Sequence, residues 1–569
     1  MITRILHAGK DSAVVPLLAL AILLASCGDF EQAEAELPTE SSAAAVGDAN
    51  LMPWRVERVR RVAELDAYIA AHPHDFQAFA YSPLGNAGVP VIMFRLFQDV
   101  LPEIWGAPAE GFGKVGLSAD PWVPGRALPL GLGHSASTTT VPVPFLGERP
   151  IHVIQLTCMA CHGGRIAGPD EVVNPLIGAP STEFNQFRVA IARTVNDPRY
   201  TADNFRAALA RKPALGWLYG SDVTMMLQEQ IERRAFNSAG AAEQFLQRLK
   251  DRAQGGALRN AATLGRCTYA THADAPERNG PKPGSLDAIG AGITLIADPA
   301  QLGDRICDVM PRAPAEIDPM SVWRQADRPV AQWDGSIVSP VHRQLASAFA
   351  IVGSASALDL EVAIATTRFT RDLPPAVYPF DVRNDAAVRG EQLYGRYCIG
   401  CHAPGNANLF TPDQIGTDPN RANIWSPFAT TTLLQVLRGV CTDASACNAP
   451  DGTPLADEHI LRGTGAYSAV PLDGIWARAP YLHNGSVPTL YHLLVPASRP
   501  QVFYRGNIHY DQDKVGFTWD QGGANIFPFD TTRAGSSNRG HDTPEFLGDI
   551  DWGSQPDMLA DLLEYMKTL

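Results

Sequence analysis

Length, composition and charge already exclude several kinds of protein. The chain has 569 residues, which at about 150 residues per domain is room for roughly three or four domains. Its 46 basic and 60 acidic residues give a net charge of -14, and this acidic balance excludes a nucleic-acid-binding protein, whose surface would be basic. With 45% hydrophobic and only 19% charged residues, the chain is not intrinsically disordered either.

The first 26 residues have the form of a signal peptide. A basic start precedes an apolar run over residues 13–25 that is too short to span a bilayer. The run ends in Leu-Ala-Ser-Cys at Cys27, which resembles a bacterial lipobox and implies that Cys27 is acylated; the alternative is an ordinary cleaved signal with an incidental cysteine. Both interpretations predict export into an oxidising compartment. We expect a periplasmic or outer-membrane-associated lipoprotein, with residues 27–50 as a flexible tether.

Two copies of the pattern Cys-x-x-Cys-His follow, formed by Cys158, Cys161 and His162, and by Cys398, Cys401 and His402. This spacing lets two thiols reach the vinyl groups on one edge of a porphyrin while the adjacent histidine binds the iron. The alternatives are a thioredoxin-like dithiol, which needs a βαβ context, and a zinc site, which needs a second Cys-x-x-Cys nearby. The sequence therefore predicts two covalently bound haem c groups, with His162 as a ligand of the first iron and His402 of the second.

Four more cysteines remain in this exported chain, namely Cys267, Cys307, Cys441 and Cys447. Four cysteines allow three pairings. Proximity along the chain favours Cys441 with Cys447 and Cys267 with Cys307. We interpret them as structural disulfides and not as catalytic thiols.

The apolar pattern, with 49 glycines and 45 prolines, predicts a mainly α, loop-rich fold with two cytochrome c-type haem domains. An extended stretch over 141–153 precedes the first motif. A helix with Val388 and Tyr394 on its apolar side runs into the second motif, and a terminal helix after Pro556 carries another apolar stripe. In chain order we predict a signal peptide (1–26), a lipidated tether (27–50), an N-terminal haem domain (51–200), a mostly helical insert (201–325), an inter-haem segment (326–380) and a C-terminal cytochrome c domain (381–569).

Two stretches after the insert resemble one superfamily. Trp333-Asp334-Gly335 is similar to the W-D-G motif of bacterial di-haem cytochrome c peroxidases, and residues 479–490 (APYLHNGSVPTL) closely match the A-P-Y-x-H-x-G-S-V-x-T-L stretch of the same superfamily. The di-haem rubber oxygenase branch is the closest, because the long insert, residues 472–478 (LDGIWAR) and residues 537–541 (SNRGH) all resemble it.

This resemblance implies roles for three residues. Trp333 would relay electrons between the haems; burial for packing alone is the alternative. His541 would be the second protein ligand of the iron at His402, with Met558 and Met566 as alternatives and a solvated loop histidine as a further one. His483 would lie close to the haems and orient a propionate or a peptide group.

A helical face after W-D-G supplies a candidate wall for the first haem. His342 and Phe349 fall on this face together with Leu345 and Ala346. We interpret His342 as an iron ligand or proton-transfer group and Phe349 as a residue that crowds the distal side. The alternative for His342 is a surface histidine on an amphipathic helix.

These features predict a membrane-anchored di-haem oxidoreductase. The first haem would activate O2 for oxidative cleavage of a small apolar, isoprenoid-like substrate, and the second would store or transfer electrons. A cytochrome or cupredoxin is the expected redox partner, and the lipid anchor provides the membrane contact. The alternatives are a di-haem cytochrome c peroxidase that uses peroxide, and an electron-transfer lipoprotein with no chemistry of its own.

Overall fold

The computed structural model describes residues 63–569 except 86–87, 124, 170–172, 182–185, 221, 239, 252–283, 285–288, 291–292, 294–295, 297–301, 312, 353–354, 442–444 and 524–525. The predicted signal peptide, the tether, Cys27 and Cys267 lie outside the described residues.

The fold is mainly α, as the sequence predicts, with long loops between short helices. In the first half of the chain the helices are α1 (Ala63–Ala71), α2 (Pro73–Tyr81), α3 (Val91–Val100), α4 (Pro102–Trp105), α5 (Cys158–Cys161), α6 (Gln186–Asn196), α7 (Ala202–Ala210) and α8 (Met226–Asn237). Residues 241–251 are also helical. The later helices are α9 (Ile306–Val309), α10 (Pro340–Val352), α11 (Leu360–Arg371), α12 (Asn384–Tyr397), α13 (Ile399–His402), α14 (Pro412–Ile415), α15 (Pro427–Val440), α16 (Asp457–Ile460), α17 (Leu490–Leu494), α18 (Pro544–Leu547) and α19 (Pro556–Met566).

The described strands form small antiparallel sheets. They are β1 (Val89–Pro90), β2 (Leu132–Val143), β3 (Gly147–Leu156), β4 (Gly163–Ala167), β5 (Val173–Ile177), β6 (Leu409–Phe410), β7 (Tyr467–Ser468), β8 (Val502–Arg505), β9 (Tyr510–Asp511), β10 (Gly516–Phe517) and β11 (Phe527–Asp530). The first sheet has the order β1-β3-β2, and the other strands pair as β4-β5, β6-β7, β8-β11 and β9-β10.

A β-hairpin delivers the first Cys-x-x-Cys-His motif. Strands β2 and β3 pair from Leu132 opposite Leu156 to Val143 opposite Gly147, so most of the predicted extended stretch (141–153) is strand, but residues 144–146 form the hairpin turn within it. Strand β3 ends directly before the one-turn helix α5. Cys158 in this helix packs against both of the large apolar cores of the protein, so the motif lies where these two cores meet.

Helices α12 and α19 pack closely against each other, as the sequence predicts for the second haem domain. Gly390 is what lets them approach, since a Cβ placed there would lie 2.0 Å from the Asp561 carbonyl oxygen. The assignment of Val388 to the packed side was wrong, because its side chain is 59% exposed. Tyr394 is buried, as predicted.

Helices α10 and α15 pack together in a separate apolar core, which also contains a disulfide. Phe349 on α10 packs with Leu433 and Leu437 on α15. Cys441 and Cys447 in the same core are disulfide-bonded, with Cα atoms 5.7 Å apart, which confirms that pairing. The pairing of Cys307 with Cys267 stays a prediction because Cys267 is outside the described residues.

Within the described part of the chain, no helix has both the length and the hydrophobicity needed to cross a bilayer.

Candidate functional site

A mostly apolar cavity of about 240 Å³ lies in the C-terminal part of the molecule. Helix α12 contributes Tyr397 to its wall and helix α19 contributes Met566. Six residues that the sequence singled out also line it, namely Trp333, Cys398, Cys401, His402, His483 and His541. The fold therefore brings together the second Cys-x-x-Cys-His motif and three residues distant from it in sequence.

His402 is oriented as an iron ligand requires. Its Nδ1 lies 2.7 Å from the backbone oxygen of Val470, and because a carbonyl only accepts, Nδ1 carries the proton and Nε2 keeps its lone pair. Burial lowers the pKa of His402, so the ring is neutral near pH 7. A histidine held in this way presents its second nitrogen to a metal.

His541 faces His402 across the cavity. The centroids of the two imidazole rings are 6.4 Å apart and their planes differ by 32°. A point midway lies 3.2 Å from each centroid, half of the 6.4 Å separation, which leaves room for a metal–nitrogen bond of about 2 Å on each side. His402 and His541 would therefore be able to hold one haem iron between them.

The backbone around His541 is held in an uncommon conformation. His541 has φ of 55°, and its amide donates a hydrogen bond of 3.1 Å to the Ile415 carbonyl. The preceding Gly540 has φ of 117°, and a Cβ there would lie 2.6 Å from the Cβ of Thr417. Such strained geometry is frequent at functional sites and needs support from its surroundings, which the last residue of α14 and the residues just after it provide here.

The two thiols of the second motif also fit covalent attachment. Cys398 stands between α12 and α13, Cys401 lies one turn further on, and neither forms a disulfide. Burial raises the pKa of Cys398 to about 12. Of the two methionines considered as alternative iron ligands, Met566 lines the cavity, while Met558 is partly buried in the neighbouring core.

The first motif has tighter surroundings. The Sγ atom of Cys158 lies 3.9 Å from Oγ1 of Thr366 on α11, and burial lowers the pKa of His162 to about 4. The Nδ1 atom of His162 is buried without a hydrogen bond. A cavity of about 10 Å³ lies beside Met159 and Gly163, far smaller than the one at His402. The residue types of this motif fit haem c, and the number of haems stays a prediction.

Hydrogen bonds hold both Trp333 and Asp334 in place. The indole N–H of Trp333 donates to the Asp318 backbone oxygen at 2.7 Å. The carboxylate of Asp334 is fully buried, pairs with both terminal nitrogens of Arg421 and accepts a 2.8 Å hydrogen bond from Trp425. The W-D-G turn therefore holds its tryptophan rigidly against the cavity.

His483 forms a stacked pair with Tyr467 in the cavity wall. Their ring centroids are 4.3 Å apart, and the tyrosine hydroxyl lies 3.1 Å from Nε2 of the histidine. Burial, helped by the charge of Arg421, lowers the pKa of His483 to about 3. His483 is therefore a neutral hydrogen-bonding group near pH 7.

His342 and Phe349 are not part of this cavity wall. His342 is 1% exposed, and its Nδ1 lies 2.7 Å from the hydroxyl of Ser339 at the start of α10. Phe349 packs in the core with α15. Their assignment to the first haem stays a prediction.

Three cavity residues were missed as functional candidates. Tyr467 and Asp318 carry no sequence signal of their own, since only folding brings them beside Trp333 and His483. Arg478 lies within the LDGIWAR stretch, and its buried charge in a cavity wall could have been suspected from that position.

Comparison with known families supports a cytochrome. A model of the RoxA-like, cytochrome c-like family matches residues 466–504, the segment that holds Tyr467, Arg478 and His483. This match supports a relationship to RoxA-like di-haem cytochromes, implies haem c as the cofactor and indicates a haem-based oxidoreductase. A Y4iN-like domain model matches residues 75–162 and ends on the histidine of the first motif.

Three proteins of Sinorhizobium fredii are similar to this chain, and all three are described as uncharacterized. The protein y4iM is 41% identical over 273 residues, covering 44% of this chain and 63% of the relative. The protein y4iJ is 28% identical over 513 residues, covering 78% and 82%, and y4iN is 40% identical over 124 residues, covering 20% and 59%. The chain thus spans less than two thirds of y4iM and y4iN.

Proposed function

We propose that the chain is a periplasmic, membrane-anchored di-haem c-type oxidoreductase that uses O2 to cleave an apolar, isoprenoid-like substrate. The observation that carries the proposal is the pair His402 and His541, which face each other at 6.4 Å beside two free thiols. The RoxA-like match at residues 466–504 and the resemblance to di-haem rubber oxygenases support the oxygenase class.

The two sites differ in what their residues offer. Haem with two imidazole ligands exchanges electrons, and haem with one open position binds O2 or peroxide. His402 and His541 hold both faces of one site, which favours electron storage there. Among the ring contacts of the described residues, none sets a second imidazole against His162, which supports the first site as the place of oxygen chemistry.

The cavity residues have roles that follow from their contacts. The mostly apolar wall gives the second site a lining of low polarity. Trp333, fixed by the Asp318 carbonyl, would carry electrons between the two sites. His483 is neutral and hydrogen-bonded to Tyr467. It provides a hydrogen-bonding group in the wall, which would orient a propionate or a peptide group.

Spectroscopy of the full-length protein tests the proposal. We expect two haems per chain by the pyridine haemochromogen assay, and a CO adduct at only one of them after reduction. Oxygen uptake with an isoprenoid alkene such as squalene, dispersed in detergent, would support the oxygenase class. Fast turnover of peroxide with reduced cytochrome c would favour the peroxidase instead, and two haems silent to both CO and peroxide would leave only electron transfer.

The predicted anchor needs its own test. Replacement C27A should move the protein from the membrane fraction to the soluble periplasmic fraction, because a lipobox cysteine is the site of acylation. A wild-type protein that is already in the soluble periplasmic fraction, with C27A unchanged, would point to the ordinary cleaved signal.

A further inference from the structure

The side chain of Arg499 is buried, and its guanidinium binds four backbone oxygen atoms. It is only 4% exposed. Its Nε donates to the carbonyl of His492 at 2.9 Å, and one terminal nitrogen donates to the carbonyl of Leu493 at 3.0 Å. The other terminal nitrogen donates to the carbonyls of Asn538, at 2.6 Å, and Gly540, at 3.0 Å. All three guanidinium nitrogens of Arg499 are therefore used in hydrogen bonds.

The carbonyls of His492 and Leu493 belong to the C-terminal end of α17, which forms part of the cavity wall. The last carbonyls of a helix have no partner within the helix, and an arginine side chain near that end can bind them. Helix α17 turns Leu490, Leu493 and Leu494 toward the cavity. Arg499 therefore binds the end of a helix that shapes the second site.

The carbonyls of Asn538 and Gly540 belong to the loop that carries His541. Gly540 and His541 have φ of 117° and 55°, and such a backbone persists only where the surrounding structure holds it. The peptide group between them is bonded at both ends: its oxygen accepts from Arg499, and its N–H donates to the Ile415 carbonyl. The guanidinium therefore acts on the peptide group that sets the direction of the His541 side chain.

The start of the same loop is held by a different stretch of the chain. The side chains of Asn484 and Ser486 donate to the carbonyl of Ser537 at 2.9 Å and 2.8 Å. These bonds join residues 479–490 to residues 537–541, the two stretches that the sequence singled out. They act four positions before His541, whereas Arg499 acts on the position directly before it.

We propose that Arg499 is the positioning residue of the second site, because its guanidinium joins α17 to the loop of His541 and keeps the His541 imidazole opposite His402. The inference rests on the proposed function, in which a haem lies between these two histidines. A guanidinium is planar and directs its N–H groups in fixed directions, so it sets both the distance and the angle between the helix and the loop. Without it the loop can relax, and the imidazole leaves the position that faces His402 at 6.4 Å.

CO binding by the reduced full-length holoprotein tests this role. CO competes with a distal imidazole for the iron, so loosening His541 should raise the CO affinity of the haem at His402. R499Q removes hydrogen bonds from a charged donor, and we expect this affinity to rise by roughly tenfold or more. R499K keeps the charge but has one nitrogen in place of three, so its CO affinity should lie between those of the wild type and R499Q.

Arg126 offers a matched control in the N-terminal part of the molecule. Its side chain is 15% exposed, and its terminal nitrogens donate to three backbone oxygens, those of Leu128, Pro129 and Leu132. Each arginine also has one carboxylate at the edge of ion-pair range, Asp542 at 3.9 Å from Arg499 and Asp120 at 4.0 Å from Arg126. R126Q should therefore destabilise the protein and leave the CO affinity of the haem at His402 unchanged. An equal rise in R126Q and R499Q would be general loosening and would overturn the inference.

A double variant separates a positioning role from a merely structural one. Because Arg499 acts through His541, R499Q should not raise the CO affinity further when it is combined with H541A. Additive effects of the two substitutions would overturn the inference. If R499Q does not fold, R499K decides, since a CO affinity equal to that of the wild type would overturn it as well.

The wild-type protein shows whether the proposed function or only this inference has failed. A wild type without haem at the second motif, or with equal CO binding at both haems, would overturn both. A wild type with one haem silent to CO, and an R499Q protein in which that haem is equally silent, would overturn the role of Arg499 and leave the proposed function standing.

Discussion

At the scale of single residues, the two histidines of the second site are held by different means. His402 follows its cysteines directly and is oriented by one hydrogen bond to Val470. His541 has a left-handed backbone that is stabilised by a hydrogen bond to Ile415, the last residue of α14. The first histidine is readable from local spacing, whereas the second depends on contacts between distant segments and was predicted only through the resemblance.

Replacing His541 should open the second site. In H541A the haem stays attached because its thioether bonds to Cys398 and Cys401 do not involve His541. The iron loses one imidazole, so the reduced variant should bind CO at one more haem than the wild type, as measured by CO difference spectra. The exposed His459 provides the control H459A. Wild-type spectra in H541A together with altered spectra in M566A would assign the ligand to Met566.

His342 should make the stability of the protein depend on pH. Burial, with a contribution from the charge of Arg438, lowers the pKa of His342 to about 4 in the folded state, while an unfolded histidine titrates near 6.5. Between these values the unfolded state binds more protons, so the stability due to a neutral His342 is present above pH 6.5 and is lost as pH falls toward 4.

H342Q removes this dependence. Between pH 7 and pH 5 the free energy of unfolding should fall by about 2 kcal/mol less in H342Q than in the wild type, as measured by urea denaturation. H459Q at an exposed position is the control and should behave as the wild type does. Equal losses in H342Q and the wild type would mean that His342 titrates normally, as a histidine on a solvated helix face would.

At the scale of elements, close packing decides what the periodicity of apolar residues leaves open. Helix α12 turns Tyr394 toward the core as predicted, but its close contact with α19 runs along Gly390, so Val388 points to solvent. A hydrophobicity pattern assigns no weight to a glycine. Val388 was assigned to the wrong side because the close approach of the two backbones at Gly390, and not the number of apolar side chains, determines which face of α12 contacts α19.

Two glycines of the same helix allow a matched test of this packing. G390A places a methyl group 2.0 Å from the Asp561 carbonyl oxygen, which forces α12 and α19 apart and should destabilise the protein by about 1–3 kcal/mol. G395A meets nothing within 4 Å and should stabilise it by up to about 1 kcal/mol through helix propensity. Thermal unfolding measures both, and equal effects of the two variants would contradict the close-packing account.

At the scale of the whole molecule, the sequence predicts the separate parts of the candidate site better than the contacts between those parts. The mainly α class, the helices at both ends of the second haem segment and the Cys441–Cys447 disulfide were predictable, because each follows from local pattern or spacing. The contacts of Trp333 with Asp318, and of His483 with Tyr467, join residues 15 and 16 positions apart that belong to no common helix or strand. Only the folded chain shows them, since no local pattern encodes a partner.

Trp333 is the residue through which the proposed coupling of the two sites can be tested directly. Its indole lines the cavity and donates to the Asp318 carbonyl at 2.7 Å. W333F keeps an aromatic ring for packing but removes this hydrogen bond and the more easily oxidised indole. Electron equilibration between the haems, followed by stopped-flow spectroscopy after partial reduction, should slow by roughly tenfold or more.

The spectra, haem content and potentials of W333F should stay as in the wild type, because no iron ligand and no charge is removed. The control W217F changes a tryptophan of the N-terminal part that packs against Arg95 and Arg233 and should leave the rate unchanged. An unchanged rate in W333F would make Trp333 a packing residue.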